Sequence, residues 1–243
     1  MATELSSAHR RRLREIWRSA GWPCQDMLEV ELLDQGLLQR LRDGDGRETL
    51  RVTEAGISVL AQTLQENRSA RDAHEVLVER VAREMQRAGR IVWRGLSLRA
   101  RVGQGEAAVW TLAMPDVYSI RHTTVEAYLE PIVHEIKVRR ADLLSDLRHE
   151  AKRAAYLALS GECWYVVRAG IAQPQEIPPE CGVMLADDTG LEVARPAPKR
   201  PMQMSFGLWM ALAQATPVDN GPDEDVQAWL GDAAAGASDA PET

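Results

Sequence analysis

Two carboxylates and a lysine are spaced in this sequence as in sites that hold a metal ion and hydrolyse phosphodiester bonds. Asp116 precedes Glu135 by nineteen residues, and Lys137 follows two residues later. Alternate side chains of a β-strand point to the same face, so Glu135 and Lys137 share a face while Ile136 turns into the core. The segment between Asp116 and Glu135 is typical of a hairpin, which brings Asp116 to that face from a neighbouring strand.

The oxygen atoms of this set are those that Mg²⁺ prefers. The carboxylates of Asp116 and Glu135, the backbone carbonyl of Ile136 and several waters would form a hard, oxygen-only site for Mg²⁺ or Mn²⁺. Such a metal lowers the pKa of a bound water, and Lys137 would orient or deprotonate that water. The alternative is a same-face ion pair of Glu135 and Lys137 that holds no metal.

Hydrophobic periodicity predicts the elements that must position these residues. An amphipathic helix is predicted over residues 73–88, with Gly89 as its C-cap. Alternating and apolar runs predict strands, and two further helical patterns follow. The predicted strands are residues 91–99, 107–114, 116–122, 132–138, 163–169, 182–186 and 191–194, and the predicted helices are residues 141–159 and 202–215.

The amino-terminal residues have a different pattern. Residues 8–20 and 26–35 are predicted helices, and two short alternating runs flank the glycines of residues 43–46, which allow a tight hairpin. Thr53 is the predicted N-cap of a helix that extends to Glu66. Residues 67–72 are polar and are predicted to form a linker.

Residues 1–66 resemble a winged-helix domain, because the run LLQRLRDGDGRETLRVTEAGISVL is similar to the wing and following helix of many bacterial regulators. The resemblance implies that Arg47 and Arg51 contact phosphate and that the helix around residues 27–33 faces a DNA groove. Three carboxylates on that helix would repel DNA. Winged helices also serve as protein-interaction or dimer modules, so both uses stay open.

Residues 73–215 resemble the PD-(D/E)xK nuclease superfamily. The resemblance rests on Met114-Pro115-Asp116, on Glu135-Ile136-Lys137 and on the order helix, three strands, helix, strand. It implies an α/β fold with an α+β core, in which a restriction-endonuclease-like mixed sheet is flanked by helices. It also implies that Mg²⁺ or Mn²⁺ is the cofactor and that Asp116, Glu135 and Lys137 are catalytic.

The resemblance implies roles for three glutamates of the predicted helix before the strands. In this superfamily that helix often supplies a third catalytic carboxylate. Glu75 matches the position best and would be a further metal ligand, Glu79 is the second choice and Glu84 the third. The alternative is that these glutamates are ordinary solvated charges on the helix surface.

Basic residues after Lys137 complete the resemblance. The superfamily pattern has a short basic stretch, an Asp and a helix with a basic residue four before a Tyr. Lys152 and Tyr156 match it, share a helix face and would contact DNA phosphate. Arg139 and Arg140 are the expected phosphate clamps. The alternative for Lys152 and Tyr156 is packing against the sheet.

Within the superfamily, the chain is similar to the MmcB-like DNA-repair proteins of bacteria. The likeness rests on Glu135-Ile136-Lys137, the apolar strand at residues 163–169 and the proline-led residues 176–198. The chain departs from that family at residues 114–116, where the family has Arg-Ala-Asp, and at residues 138–140, where small or Ser residues are usual.

The charge of the chain is concentrated at its carboxyl end. The net charge is −7, from 36 acidic and 29 basic side chains. Seven of the acidic side chains lie in residues 216–243, which contain no Lys or Arg, so the rest of the chain is neutral. These residues are predicted to be a disordered acidic tail, which either solubilises the protein or mimics DNA in a basic groove.

Two function classes follow. The first is a Mg²⁺-dependent DNA endonuclease that acts in DNA repair or in defence against foreign DNA. The alternative is a winged-helix DNA-binding regulator or adaptor whose nuclease-like domain is catalytically silent. Many relatives of the superfamily cut as dimers, which leaves a homodimer open.

The setting of the protein is predicted from what the sequence lacks. It has no apolar run of bilayer length and no secretory signal pattern, which favours a protein without a membrane partner. Its three cysteines, Cys24, Cys163 and Cys181, are widely spaced and have no CxxC pattern, which favours a reducing, cytoplasmic location.

Overall fold

The computed structural model describes residues 5–19, 21–103 and 105–219, apart from the side chain of Glu106. The chain divides into two compact units, Met1–Asp72 and Ala73–Thr243. The elements of the first unit are α1 (Ser7–Arg18), α2 (Met27–Asp34), β1 (Leu38–Arg42), β2 (Glu48–Val52) and the first part of α3 (Glu54–Arg87).

Local signals in the sequence account for the element bounds of the first unit. The side chains of Ser6 and Asp26 accept backbone hydrogen bonds at the starts of α1 and α2, and Thr53 does the same for α3. β1 and β2 pair as an antiparallel hairpin, and Gly46 adopts a φ of 81° in its turn. Buried leucines from the helices and the hairpin form the core of this unit.

The prediction of a linker over residues 67–72 is wrong, because α3 is one continuous helix of 34 residues. The two predicted helices, ending at Glu66 and starting at Ala73, are parts of it. Residues 67–72 are polar but contain neither glycine nor proline, so nothing in them interrupts the backbone hydrogen bonds of a helix. The boundary between the units falls inside α3, after Asp72.

The second unit is a mixed α/β unit around a six-stranded sheet, which confirms the α/β class. Its strands are β3 (Arg90–Arg94), β4 (Leu98–Val102), β5 (Val109–Ala113), β6 (Val117–Arg121), β7 (Ile132–Lys137), β8 (Glu162–Arg168), β9 (Gly182–Ala186) and β10 (Leu191–Arg195). The sheet order is β10-β9-β8-β7-β6-β3. Neighbours within β7-β8-β9 are parallel, and the other neighbours are antiparallel.

Two of the predicted strands differ in the structure. The run at residues 91–99 is split into β3 and β4 by Gly95, whose φ of 59° is not an extended conformation. The run at residues 107–114 contains β5, which pairs with β4 as a separate two-stranded sheet. This hairpin is therefore an addition between the first and second strands of the main sheet.

Apolar side chains cover both faces of the main sheet. On one face, Val78 and Val81 of α3 pack with Ile136 and Val166. On the other face, Tyr118, Val133 and Tyr165 belong to a cluster with residues of the helices described below. Ile136 is fully buried, and burial of such a side chain contributes about 1.5–3 kcal/mol. This packing fixes β7, the central strand that carries Glu135 and Lys137.

The predicted helix at residues 141–159 is two helices, α4 (Arg140–Leu147) and α5 (Glu150–Leu159). The break falls at Arg148 and His149, where His149 has a non-helical ψ of 70°. The His149 ring lies within hydrogen-bonding distance of the Ser145 carbonyl, 2.7 Å away, which satisfies an acceptor at the end of α4. Apolar periodicity alone does not reveal such a break.

The carboxyl-terminal part begins with α6 (Phe206–Gln214), whose N-cap is Ser205. Residues 216–219 belong to the predicted disordered tail, yet the Val218 amide donates a 2.7 Å hydrogen bond to the Val92 carbonyl of β3. The tail from residue 220 onward lies outside the described residues. No helix in the described part of the chain is both long and apolar enough to cross a membrane.

Candidate functional site

The pairing of β6 and β7 brings Asp116 beside Glu135 and Lys137. Val117, the first residue of β6, lies opposite His134 of β7, so Asp116 immediately before β6 lies beside Glu135. The carboxylate of Asp116 accepts a 2.7 Å hydrogen bond from the amide of Ile136. The three residues singled out by spacing therefore meet at the same end of two central strands.

The carboxylate of Glu135 is almost completely buried, with 2% of the residue exposed. Its Oε1 atom accepts hydrogen bonds from the ammonium groups of Lys137 and Lys152, the latter 2.6 Å away. Its Oε2 atom lies 2.7 Å from the hydroxyl of Tyr156. A buried carboxylate needs such partners, and these three donors compensate for the burial of Glu135.

Asp146 belongs to the same cluster, although the sequence reasoning did not select it. Its Oδ1 atom lies 2.5 Å from Lys152 Nζ and 3.7 Å from Lys137 Nζ, and its Oδ2 atom accepts from the hydroxyl of Tyr165 at 2.8 Å. Residues six apart on a straight helix are about 240° apart around its axis. The break between α4 and α5 is what lets Asp146 and Lys152 meet, so their spacing gives no signal in the sequence.

The charges of this cluster shift the pKa values of its members. Burial acts to lower the pKa of Lys152, but the charge of Glu135 and hydrogen bonds to Asp146 and Glu135 outweigh it and raise the pKa. Burial acts to raise the pKa of Asp146, but the charge of Lys137 and the hydrogen bond from Lys152 lower it. Burial and the carboxylate of Glu135 raise the pKa of Tyr156. Lys152 is therefore cationic, and Tyr156 is a neutral hydrogen-bond donor.

His74, a residue of α3 without an assigned role, links Asp116 to Glu75. Its Nε2 atom lies 3.4 Å from the Asp116 carboxylate, and its Nδ1 atom lies 3.6 Å from Glu75. Glu75 also accepts a 2.9 Å hydrogen bond from Arg94. The hydrogen bond to Asp116 raises the pKa of His74 against the opposing effect of burial. Glu75 thus lies at the edge of the cluster, one side chain away from Asp116.

The other two candidate glutamates of α3 are engaged elsewhere. Glu79 forms an ion pair with Arg83, and Glu84 forms one with Arg87. None of the described contacts of Glu79 or Glu84 joins them to Asp116 or Glu135. Their pairing with arginines one turn away is that of ordinary helix-surface charges.

The predicted phosphate contacts occupy different positions. Lys152 and Tyr156 face inward and hold Glu135, as described above. Arg140 is exposed and forms a bidentate pair with Glu176, which lowers the pKa of that carboxyl to about 2. Arg139 is the half-buried residue immediately before α4. The structure therefore places Arg139 and Arg140 after the site and directs Arg140 toward the loop that contains Glu176.

The donor set meets the needs of Mg²⁺ only in part. The oxygen atoms of Asp116, Glu135 and the Ile136 carbonyl are of the kind that Mg²⁺ binds. Both carboxylate oxygens of Glu135 already have donors, so a cation at Oε1 would have to displace an ammonium group, whereas Oε2 accepts only from the Tyr156 hydroxyl. In the described part of the chain, no three His, Cys, Asp or Glu side chains are grouped closely enough to hold a metal ion.

A groove beside the end of β7 carries four arginines that were not selected from the sequence. It passes Val138, the residue after Lys137, and is lined on its sides by Arg80, Arg83, Arg87 and Arg168. Arg80, Arg83 and Arg87 recur at helical spacing along α3, which was the available signal. Glu79, Glu84, Asp187 and Asp188 line the same groove, and Arg83 and Arg87 pair with the first two, so the groove carries mixed charge and not a free basic row.

In the amino-terminal unit, Arg47 and Arg51 are exposed on the β1–β2 hairpin, where the sequence placed them. Glu29 of α2, expected to face DNA, is fully buried instead. It accepts hydrogen bonds from the amides of Cys24 and Gln25 and from Arg40. One of the three carboxylates thought to repel DNA therefore serves the fold of this unit.

Comparisons with known proteins leave the family open. No protein-family model matches the chain, and no curated protein matches it. One solved structure that matches is a protein of unknown function from Silicibacter pomeroyi, at 23% identity and a TM-score of 0.37. The match covers 56% of this chain and 77% of that one.

Proposed function

We propose that the second unit is a metal-dependent nuclease that hydrolyses phosphodiester bonds in DNA, in the manner of the PD-(D/E)xK superfamily and with Mg²⁺ or Mn²⁺ as cofactor. The observation that carries the proposal is the meeting of Asp116, Glu135 and Lys137 at one end of β6 and β7. A DNA-repair role of the MmcB-like kind, or a role in defence, belongs to the same proposal.

The charge balance of the cluster supports a cation and a phosphate as its ligands. Asp116, Glu135 and Asp146 contribute three negative charges, and Lys137 and Lys152 contribute two positive charges. A site with this balance is near neutrality, so a divalent cation would give it the positive charge that attracts a phosphodiester.

Each residue has a definite task in the proposed reaction. Asp116, Glu135 and the Ile136 carbonyl would hold the cation, which when bound neutralises phosphate charge and acidifies a water molecule. Lys137 donates hydrogen bonds and would orient the attacking water or a phosphate oxygen. Lys152 and Tyr156 fix the Glu135 carboxylate, and Asp146 holds Lys152 in turn. The last three are positioning residues.

A second candidate function has its own support. The first unit, with two helices and a hairpin before α3, is proposed as a winged-helix domain that binds DNA through Arg47 and Arg51. The ammonium groups of Lys137 and Lys152 on Glu135 support a cluster in the second unit that stabilises the fold and has no catalytic role. In that case the protein is a DNA-binding regulator or adaptor.

Cleavage of end-labelled DNA distinguishes the two functions. Single-stranded, duplex, forked and mismatched substrates are incubated with Mg²⁺ or Mn²⁺ and with wild type, Asp116→Asn or Glu192→Gln. Glu192 is an exposed carboxylate of β10 and serves as the matched control. Metal-dependent products from wild type and Glu192→Gln, but not from Asp116→Asn, support the nuclease. The absence of products from every folded protein supports the regulator.

A further inference from the structure

The outward side of the β4–β5 hairpin combines arginines with exposed apolar side chains. Arg99 lies opposite Leu112, and Arg101 lies opposite Trp110. Side chains of directly opposed residues lie on the same side of an antiparallel pair, so these four form one surface. We call this surface, made of Arg99, Arg101, Trp110 and Leu112, the hairpin face.

The apolar residues of the hairpin face are much more exposed than such residues usually are. Trp110 is 70% exposed and Leu112 is 56% exposed. Met114, the next residue in the same alternation, is 54% exposed and extends this apolar row toward Pro115 and Asp116. A contiguous row of large exposed apolar side chains marks a binding surface more often than a free one.

The arginines of the hairpin face are available to an anion. Arg99 and Arg101 are both exposed to solvent. Arg101 donates one hydrogen bond to the Gly105 carbonyl at 3.1 Å, and a guanidinium group has further donors to offer. An apolar partner would bury these two charges without compensation. A polyanion that carries flat apolar groups can pair with the arginines and also cover the apolar side chains.

The hairpin face is connected directly to the candidate active site. The carbonyl of Met114 lies 3.0 Å from the hydroxyl of Tyr156, which also holds Glu135. Asp116 follows Trp110 by six residues, so their Cα atoms are at most about 21 Å apart. A strand bound on the hairpin face can therefore extend to the cluster.

We infer that the hairpin face binds an unpaired nucleic-acid strand and presents it to the cluster around Asp116 and Glu135. Trp110 offers a flat surface on which a base can stack, and the two arginines offer donors to phosphate groups. Bases within a duplex are stacked on one another, so their faces are not open to Trp110. Strand binding by the hairpin face does not depend on the proposed nuclease function. The further step, that the bound strand is the substrate, rests on that function.

Binding without metal tests this inference apart from cleavage. Fluorescence anisotropy in EDTA gives the affinity of the full chain for a labelled single strand and for the matching duplex. Trp110→Ala is expected to weaken single-strand binding roughly tenfold, because a stacked base is lost. Exchange of both Arg99 and Arg101 for Ala is expected to reduce the slope of log affinity against log salt by about 1.4, from two phosphate contacts.

Phe206→Ala is the matched control, since Phe206 is 80% exposed on α6 of the same unit. It is expected to bind both DNAs as wild type does. Thermal unfolding of every variant checks the fold, and solvent-facing positions should leave the midpoint unchanged. Wild-type affinity in Trp110→Ala overturns the inference. So does a wild-type dimer that Trp110→Ala dissociates in sedimentation, because the occupant is then a second copy of the chain.

A second measurement separates this inference from the nuclease proposal. If the hairpin variants lose single-strand binding but wild type cuts no substrate, the inference holds and the nuclease proposal fails. If wild type cuts DNA and Trp110→Ala cuts every substrate at the same rate, the nuclease stands and the inference fails. An RNA strand of the same sequence, run in parallel, identifies which sugar the surface accepts.

Discussion

Lys152 Nζ lies 2.6 Å from Glu135 Oε1 and thereby joins helix α5 to the central strand β7. The contact places an ammonium group on the carboxylate that the proposed cation needs. It also means that the same lysine contributes to the stability of the fold. These two consequences lead to separate predictions.

The stability prediction concerns Lys152→Met. Removal of the ammonium leaves Glu135 and Asp146 with one buried counter-charge fewer, so the free energy of unfolding should fall by about 2–3 kcal/mol. Urea denaturation measures this change. Lys199→Met is the control, because Lys199 is exposed and lies 3.6 Å or more from its carboxylate partners, and it should change stability by less than about 0.5 kcal/mol. Equal effects of the two variants would contradict a buried role for Lys152.

The metal prediction concerns the same substitution. If a cation must displace Lys152 from Glu135, Lys152→Met should bind Mn²⁺ more tightly than wild type, by about tenfold for each 1.4 kcal/mol of competition removed. Isothermal titration calorimetry measures the affinity. Asp116→Asn should bind more weakly than wild type. Unchanged affinity in both variants would place any Mn²⁺ site elsewhere.

Tyr156→Phe tests the hydroxyl donor to Glu135. The substitution keeps the ring packed but leaves Glu135 Oε2 without its hydroxyl, which should cost about 1–3 kcal/mol. Chemical denaturation gives the value. Tyr128→Phe alters an exposed tyrosine and should be neutral, and a neutral result for Tyr156→Phe as well would show that the hydroxyl is not needed.

His74 and Asp116 should be coupled in a pH-dependent way. The pKa of His74 is raised in the folded protein, so its stabilising contribution is fully present below about pH 6.5 and is lost as the pH rises through the folded-state pKa. A double-mutant cycle with His74→Ala and Asp116→Ala should give a coupling on the order of 0.5 kcal/mol near pH 5.5. Denaturation near pH 9 should give none. A coupling that is the same at both pH values would argue against the ion pair.

His134 should limit stability in acid. It is fully buried, both ring nitrogens lack a hydrogen-bond partner among the described residues, and burial lowers its pKa to about 3. The unfolded chain takes up a proton below about pH 6.5 and the folded chain does not, so stability falls by up to about 1.4 kcal/mol per pH unit.

His134→Leu removes that proton uptake. Between about pH 6.5 and 5, its free energy of unfolding should fall by about 2 kcal/mol less than that of wild type. His122→Leu changes an exposed histidine and should retain the wild-type pH dependence. Parallel pH profiles for wild type and His134→Leu would mean that His134 is not held neutral.

The sequence predicted those parts of the site that depend on strand alternation. Asp116, Glu135 and Lys137 lie on neighbouring strands with a period of two, which pattern reading can follow. The sequence did not predict Asp146, because its contact with Lys152 depends on the break between α4 and α5, and no glycine or proline marks that break. The inward direction of Lys152 is not determined by the sequence either, because a lysine on a helix can point toward the sheet or toward solvent.

Two other differences come from competition between local signals and packing. The polarity of residues 67–72 predicts a linker, but polarity without glycine or proline permits a helix, and α3 continues through them. The alternation of residues 91–99 predicts one strand, but Gly95 allows the chain to leave the sheet and form the extra hairpin. The continuous helix and the extra hairpin depend on backbone conformation, which hydrophobic periodicity does not encode.

The hydrogen bond from Val218 to Val92 has a consequence for how the protein avoids self-association. β3 is the last strand on its side of the six-stranded sheet, and an open strand edge is a template for pairing with another molecule. The segment around Val218 occupies that edge at Val92, and the side chain of Gln86 on α3 donates to the Val218 carbonyl at 3.1 Å. A shortened chain that ends at residue 215 would therefore lose both the segment that covers the edge of β3 and the acidic charge. A chain that ends at Asp219 would keep the covering segment and lose most of the acidic charge, which separates the two effects.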